Sequence, residues 1–216
     1  MDRCQDDEVC VCEMSQANVE QISRIIEIAG SDPAGWRKTT LEERHKIMYE
    51  AANRLGEMRG DLIGCMCAIT GKTVVEGDVE VSEGIDYARF YTTSMKLFAD
   101  LPDVDITPEG TVLVISPWNF PCAIPIGGIV AALAGGNTVI LKPATVAAPV
   151  AWLFAQAFWD AGVPKEALQV IITDRDALKV LTSAPAIKHI ILTGGTDTAQ
   201  NIARSNPSTP LSAETG

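Results

Sequence analysis

Histidine is scarce in this chain. Only His45 and His189 occur in 216 residues, in unrelated contexts. Six cysteines are present, Cys4, Cys10, Cys12, Cys65, Cys67 and Cys122. The pairs Cys10/Cys12 and Cys65/Cys67 are each separated by one residue, whereas structural zinc sites typically use roughly two to four intervening residues and a second ligand pair elsewhere. No metal site is expected. Long apolar runs are also missing. The longest stretch, around Ala123 to Ala134, is broken by Pro125, Gly127 and Gly128, so no membrane span is expected. The opening Met1 to Glu13 is acidic rather than basic-then-apolar, which does not read as a secretory leader. Basic residues are outnumbered, 17 Lys and Arg against 28 Asp and Glu, for a net charge of -11 and a pI near 4.6. Such a surface repels phosphodiester backbones and argues against a nucleic-acid partner. Without a leader, reduced thiols and a cytoplasmic protein are expected. The Gly-x-Gly-x-x-Gly dinucleotide fingerprint is absent as well.

What remains is an ordinary globular composition, 47% hydrophobic and 21% charged, sufficient for one sizeable core. The first half reads as helices. Val19, Ile22, Ile25, Ile26 and Ala29 recur at helical spacing, with Gly30 as the expected stop. Thr40 and Glu43 form a capping-box pattern ahead of a helix whose apolar face carries Ile47, Met48, Ala51, Ala52 and Leu55. A third helix is expected over Asp61–Thr70, ending at Gly71, and a fourth from about Val75 to Leu97. Pro102, Pro108 and Gly110 mark a break. After it, strand-length apolar runs (Thr111–Ile115, Thr138–Leu141, Leu168–Ile172, His189–Leu192) alternate with helical segments (Ala123–Leu133, Ala148–Ala161, Asp174–Leu181, Thr196–Ala203). Continuous β-branched runs between helices predict an α/β fold: a Rossmann-like, doubly wound parallel sheet covered on both faces. The expected organisation is a linker or artificial start at 1–13, a helical lead-in at 14–100, and a nucleotide-binding α/β region at 101–216.

In such sheets, ligands sit at the carboxyl ends of the strands. After the first strand stand Ser116, Pro117, Trp118, Asn119, Phe120 and Pro121. Two prolines fix this backbone. It reads equally as a rigid loop with a buried Trp, or as a carboxamide held over a reacting oxygen, donating without neutralising a nearby thiolate. After the second strand, Lys142, Pro143 and Ala144 place a cation that is either solvated or reaches a sugar hydroxyl or phosphate. After the fourth, Thr193, Gly194, Gly195 and Thr196 open a helix, a turn where a phosphate can approach backbone N–H groups; many such turns use glycine for sterics alone. The chain closes on a fifth strand with Glu214, Thr215 and Gly216. Glu214 is a candidate general base, against the plainer reading of a surface glutamate.

Taken in order, Pro117-Trp118-Asn119-Phe120-Pro121, Lys142-Pro143-Ala144, Thr193-Gly194-Gly195 and Glu214-Thr215-Gly216 resemble the aldehyde dehydrogenase superfamily. The segment Trp36 to Tyr91, with Gly71-Lys72 and Asp86…Arg89-Phe90-Tyr91, resembles that family's helical lead-in. Within the superfamily, the Thr193–Ala199 and Ala213–Gly216 segments look most like the Δ1-pyrroline-5-carboxylate (glutamate semialdehyde) dehydrogenases, including modules of bifunctional proline-oxidising enzymes. The resemblance implies NAD(P)-dependent oxidation of an aldehyde to an acid through a cysteine thioester. Asn119 would donate to the oxyanion and Glu214 would activate the hydrolytic water. Lys142 would bond the adenosine ribose, with Pro143 and Ala144 beside it. Thr193 to Thr196 would face the pyrophosphate. Ser116, Pro117 and Trp118 would line the nicotinamide side, and Thr215 and Gly216 complete the cofactor wall. It also implies a homo-oligomeric parent protein, with a fused proline dehydrogenase domain if it is bifunctional.

Departures from the family pattern carry their own expectations. The family's nucleophilic cysteine follows the glutamate motif, and none of the six cysteines here has a matching context. The chain is therefore expected to be an amino-terminal half, inactive by itself. Cys122 reads as packing. Thr145 stands where many NAD-preferring members carry glutamate, which leaves NAD and NADP both open. Gly195 replaces a common serine. The segment from Leu101 to Gly110 is short where many members have an oligomerisation hairpin. The competing readings are an aldehyde dehydrogenase of other specificity, a non-catalytic nucleotide-binding module, and a CoA-linked acylating reductase. A binding module needs neither Asn119 nor Glu214, and a reductase has no use for Glu214.

Overall fold

The computed structural model describes residues 12–216, apart from the side chains at 175 and 176. Residues 1–11, with Cys4 and Cys10, lie outside the described residues, as does most of the 1–13 start.

Helix α1 (Val19–Ser31) begins in a capping box. Asn18 accepts from the Gln21 amide at 2.9 Å and its own amide donates to Gln21 Oε1 at 3.0 Å. Gly30 does not end it. The helix continues to Ser31 and stops at Asp32, which adopts the left-handed conformation (φ 48). The Asp32 carboxylate then accepts from the amides of Trp36 and Arg37, both at 2.9 Å, so a turn downstream rather than the glycine fixes the helix end. Helix α2 (Leu41–Glu57) opens on the Thr40/Glu43 capping box read from the sequence. Helix α3 (Arg59–Thr70) ends at Gly71, φ 72, and α4 (Val74–Ala99) opens on a further box formed by Thr73 and Glu76.

The chain then enters the sheet with β1 (Thr111–Ile115), followed by α5 (Ala123–Ala134), β2 (Thr138–Lys142), α6 (Ala148–Asp160), β3 (Leu168–Val170), α7 (Arg175–Ser183), β4 (Ile187–Gly194), α8 (Thr196–Ser205) and β5 (Leu211–Thr215). Strand order is β3-β2-β1-β4-β5, with every pairing parallel. The winding starts at β1 and moves outward in both directions, as a doubly wound sheet requires.

Alternation along the strands divides the core in two. Val112, Val114, Val139 and Leu141 point to one face, against helices α2 to α6. Leu113, Ile115, Ile140, Ile190 and Leu192 point to the other, against α1, α7 and α8. Trp36, Phe154 and Phe158 are the largest fully buried side chains; burial of each contributes about 1.5–3 kcal/mol. The lead-in is tied to the sheet layer through polar contacts at the end of α5. Trp36 Nε1 donates to Leu133 O at 3.2 Å, and the buried Arg44 Nε donates to Ala134 O at 3.0 Å. A cation there also suits the negative end of the helix dipole.

Candidate active site

The sheet register brings the strand ends level. Ile115 pairs with Lys142 on one side and with Leu192 on the other, and Thr193 pairs with Glu214. The residues that follow β1, β2 and β4, and the last residues of β5, therefore open onto one edge. A cleft of about 700 Å³ lies along it. Ser116, Pro117, Trp118 and Asn119 line it from the β1 loop, and Lys142 and Ala144 from β2. Thr193, Gly194 and Gly195 line it from β4, and Glu214, Thr215 and Gly216 from β5. Pro143 and Thr196 are the two sequence-selected residues that do not form its wall. Four further wall residues were not among the selected site residues: Ile115, Leu178, Leu192 and Thr198. Leu178 on α7 and Thr198 on α8 flank the cleft across from the loop. A residue on an amphipathic helix reads as core, so nothing in the sequence marks Leu178, and Thr198 enters only within the Thr193–Ala199 resemblance.

A second cleft of about 640 Å³ lies between the 12–17 segment, α3 and α6, lined by Met14, Ile25, Cys65, Trp152 and Ile171 among others. Its wall is mostly apolar and carries none of the site residues selected from the sequence.

Three features of that first cleft point to a polar ligand. Ser116 is 5% exposed, and its hydroxyl is buried without a hydrogen-bond partner. A buried hydroxyl left unpaired costs about 1–3 kcal/mol, which a ligand can recover. Lys142 is half-buried, and burial lowers its pKa from the ordinary lysine value. Among the described residues its ammonium has no ion-pair or hydrogen-bond partner. At Gly195 an added Cβ would meet nothing within 4 Å, so packing within the protein does not demand glycine there. Gly195 is the N-cap of α8 and lacks a side-chain cap, leaving backbone N–H groups at a helix N-terminus. Asp197 in that first turn opposes some of the positive field.

The loop from β1 to α5 is held at both ends. Ser116 N donates to Lys142 O at 3.2 Å, and Ala144 N donates to Ser116 O at 3.1 Å. At the far end, the amides of Cys122 and Ala123 donate to Glu80 Oε1, at 2.7 and 3.1 Å. Between these ties Asn119 is exposed, and its carboxamide has no partner among the described residues. The sequence reading did not single out Glu80. Cys122 is fully buried, and burial together with the neighbouring Glu80 charge pushes its thiol far above the ordinary cysteine range. That suits an inert packing residue. Among the described residues no cluster of three or more His, Cys, Asp or Glu side chains is placed to hold a metal ion. No helix among them is long and apolar enough to cross a membrane.

Comparison with known proteins agrees with this geometry. The pattern of the aldehyde dehydrogenase family matches residues 3–216. The 1-pyrroline-5-carboxylate dehydrogenase of Geobacillus sp. (strain WCH70) is 33% identical over 195 residues, 85% of this chain and 38% of that protein. The bifunctional protein PutA of Klebsiella aerogenes is 34% identical over 215 residues, 95% of this chain and 16% of that protein. A solved bifunctional proline utilization A (PutA) protein has a TM-score of 0.90 at 31% identity, covering 95% of this chain and 23% of its own. A NAD-dependent benzaldehyde dehydrogenase from Corynebacterium glutamicum has a TM-score of 0.88 at 25% identity, covering 97% of this chain and 49% of its own. The chain thus spans between 16% and 38% of these two curated relatives. With its parallel five-stranded sheet and strand-end cleft, the chain belongs to the aldehyde dehydrogenase family.

Proposed function

We propose that this chain is the cofactor-binding part of an NAD(P)-dependent aldehyde dehydrogenase that oxidises L-glutamate 5-semialdehyde, the open form of Δ1-pyrroline-5-carboxylate, to glutamate. The observation that carries the reading is the single cleft at the ends of four parallel strands, which gathers Ser116, Asn119, Lys142, Gly195 and Glu214. The names of the relatives, 1-pyrroline-5-carboxylate dehydrogenase and PutA, support the substrate.

The residues present fit a nicotinamide dinucleotide. Lys142 and the Ser116 hydroxyl offer a cation and a donor for ribose hydroxyls. The Gly195 turn and the start of α8 offer N–H groups to a pyrophosphate. Leu178 offers an apolar surface for a base. When bound, the cofactor supplies the two-electron acceptor for aldehyde oxidation. Asn119 donates its carboxamide N–H to the oxygen that gains negative charge during attack on the aldehyde. Glu214 takes the proton from the water that releases the acid. Thr145, a neutral residue after the Lys142 segment, leaves both NAD and NADP acceptable.

None of the described cysteines lines this cleft. On this reading the attacking thiolate is supplied by polypeptide outside this chain, and the chain alone binds cofactor without turnover. A parent protein of the bifunctional kind would carry a proline dehydrogenase domain and would form homo-oligomers.

The test is a calorimetric titration of the purified chain with NAD and with NADP, paired with an assay of NADH formation on glutamate semialdehyde. Binding without turnover is expected. Failure to bind either dinucleotide defeats the cofactor assignment, and aldehyde-dependent NADH formation defeats the assignment of inactivity.

A further inference from the structure

The loop carrying Asn119 hangs on a carboxylate that belongs to another helix. Helix α5 has Cys122 as N-cap, which makes no side-chain capping bond. The first N–H groups of a helix need acceptors from somewhere. Here Glu80, on α4, supplies one: its Oε1 accepts from Cys122 N at 2.7 Å and Ala123 N at 3.1 Å. Glu80 is 1% exposed, far below what a lone glutamate tolerates. Its other oxygen lies 3.0 Å from Lys72 Nζ, a largely buried cation. The same ammonium sits 4.1 Å from the centre of the Phe120 ring. Phe120 is the residue immediately after Asn119.

We propose that Lys72 and Glu80 form a positioning pair that fixes the Asn119 loop. Glu80 anchors the loop's exit through the two amides, and Lys72 clamps Phe120 from above while neutralising Glu80. Each group answers the other's burial cost, so neither can be lost alone without loosening the loop. The carboxylate also meets the positive end of the α5 dipole, which strengthens the hold. A carboxamide donor stabilises charge only when aimed in advance, so the pair acts through Asn119 and touches no reacting atom. The inference rests on the proposed role of Asn119; the anchoring of the loop can be measured independently of it.

The experiment compares wild type, Glu80→Ala, Glu80→Gln and Lys72→Met in the full chain, by amide hydrogen exchange and by NMR of the Asn119 side-chain amide. In Glu80→Ala, exchange at Cys122 and Ala123 is expected to quicken by about tenfold or more, as local opening becomes cheaper than global unfolding. The two Asn119 NH₂ resonances should narrow towards averaged, mobile-side-chain values, while amides in β4 and α8 keep their protection. Glu80→Gln keeps an acceptor oxygen and should restore most of the protection, which a general loss of packing would not allow. It also serves if Glu80→Ala fails to fold. Lys72→Met should mobilise Phe120 and Asn119 with a smaller effect on Cys122. Unchanged Asn119 signals and exchange in folded Glu80→Ala, or Glu80→Gln as mobile as Glu80→Ala, would overturn the proposal. Dinucleotide titration of wild type reports on the functional reading separately, because its failure leaves these exchange differences intact.

Discussion

Replacing Lys142 with methionine should move stability and binding in opposite directions. The ammonium is half-buried at the end of β2, with no partner among the described residues, and burial lowers its pKa. Methionine keeps the stem's apolar contacts and removes the desolvated charge. Relief of an unpaired buried polar group is worth about 1 kcal/mol at the low end, which for a chain of this size raises the melting temperature by about 2–4 °C. The gain should depend on pH. Below the folded-state pKa, lysine is protonated in both states and the full burial cost is present. As pH rises through that value the folded protein releases its proton first, the unfolded chain then holds more protons, and wild-type stability climbs. The variant's advantage should therefore be largest near neutrality and shrink at alkaline pH. Binding should go the other way, since a hydrogen bond to a charged group contributes about 1.5–3 kcal/mol, or about 10- to 100-fold in Kd. Urea unfolding across pH and calorimetry with NAD measure the two arms. A variant less stable than wild type at neutral pH, or one that binds NAD with unchanged affinity, refutes this account of Lys142.

Gly136 has φ +81, and an added Cβ would lie 2.9 Å from Pro108 Cγ and 3.1 Å from Arg44 Nη1; Gly136→Ala should lose at least about 1 kcal/mol in urea unfolding. Gly195→Ser, with open space around it, should leave ligand-free stability within about 0.5 kcal/mol and bind NAD no more weakly; a marked fall in affinity would show the space to be occupied by ligand alone. In native thiol labelling the exposed Cys12 should react quickly, while Cys122, buried and with its thiol pushed up, should react only on unfolding. Glu214→Gln should keep NAD affinity within about twofold, because screening isolates this exposed carboxylate from the cation that binds; calorimetry reads this directly.

Much of the fold is visible in the sequence because both faces of the sheet are covered. A fully buried strand such as Thr111–Ile115 leaves a continuous apolar run, and its limits in the structure are those the run suggests. Ends set by contacts between distant residues are harder to see. Helix α1 passes through Gly30 because Asp32 takes the left-handed turn and caps the amides beyond it. Strand β4 begins at Ile187 and reaches Gly194, longer than its apolar centre at His189–Leu192, because pairing with β1 and β5 carries polar residues along. Strand β3 stops at Val170, short of the apolar run to Ile172; the carbonyl of Ile172 accepts from Ala17 N instead. The cleft residues were legible for a topological reason, since each group but one follows a strand, and strand ends are where such sheets bind ligands. Glu80 was not. It lies within a mixed-polarity helix, 42 positions from the amide it accepts, and only the packing of α4 against α5 joins them.

The same topology bears on how an acidic chain would hold the anionic ligand proposed for it. Net charge is -11, but a ligand in the cleft feels the charges at the strand ends more than the distant surface. Lys142 closes β2, and Glu214 stands near the end of β5. The strand order puts β1 and β4 between them. Three steps of about 4.8 Å separate the two strands by roughly 14 Å, beyond the Debye length of about 8 Å at physiological salt. At that separation the Glu214 carboxylate does not pair with the Lys142 ammonium. Between them, the start of α8 presents N–H groups beside a glycine with open space. The order along the sheet edge is cation, carboxamide loop, helix N-terminus, carboxylate, and that order follows from winding outward from β1. An extended ligand running along this edge from Lys142 towards the start of α8 would meet the cation and the N–H groups together. A compact anion would engage one end only and leave the rest of the edge in water.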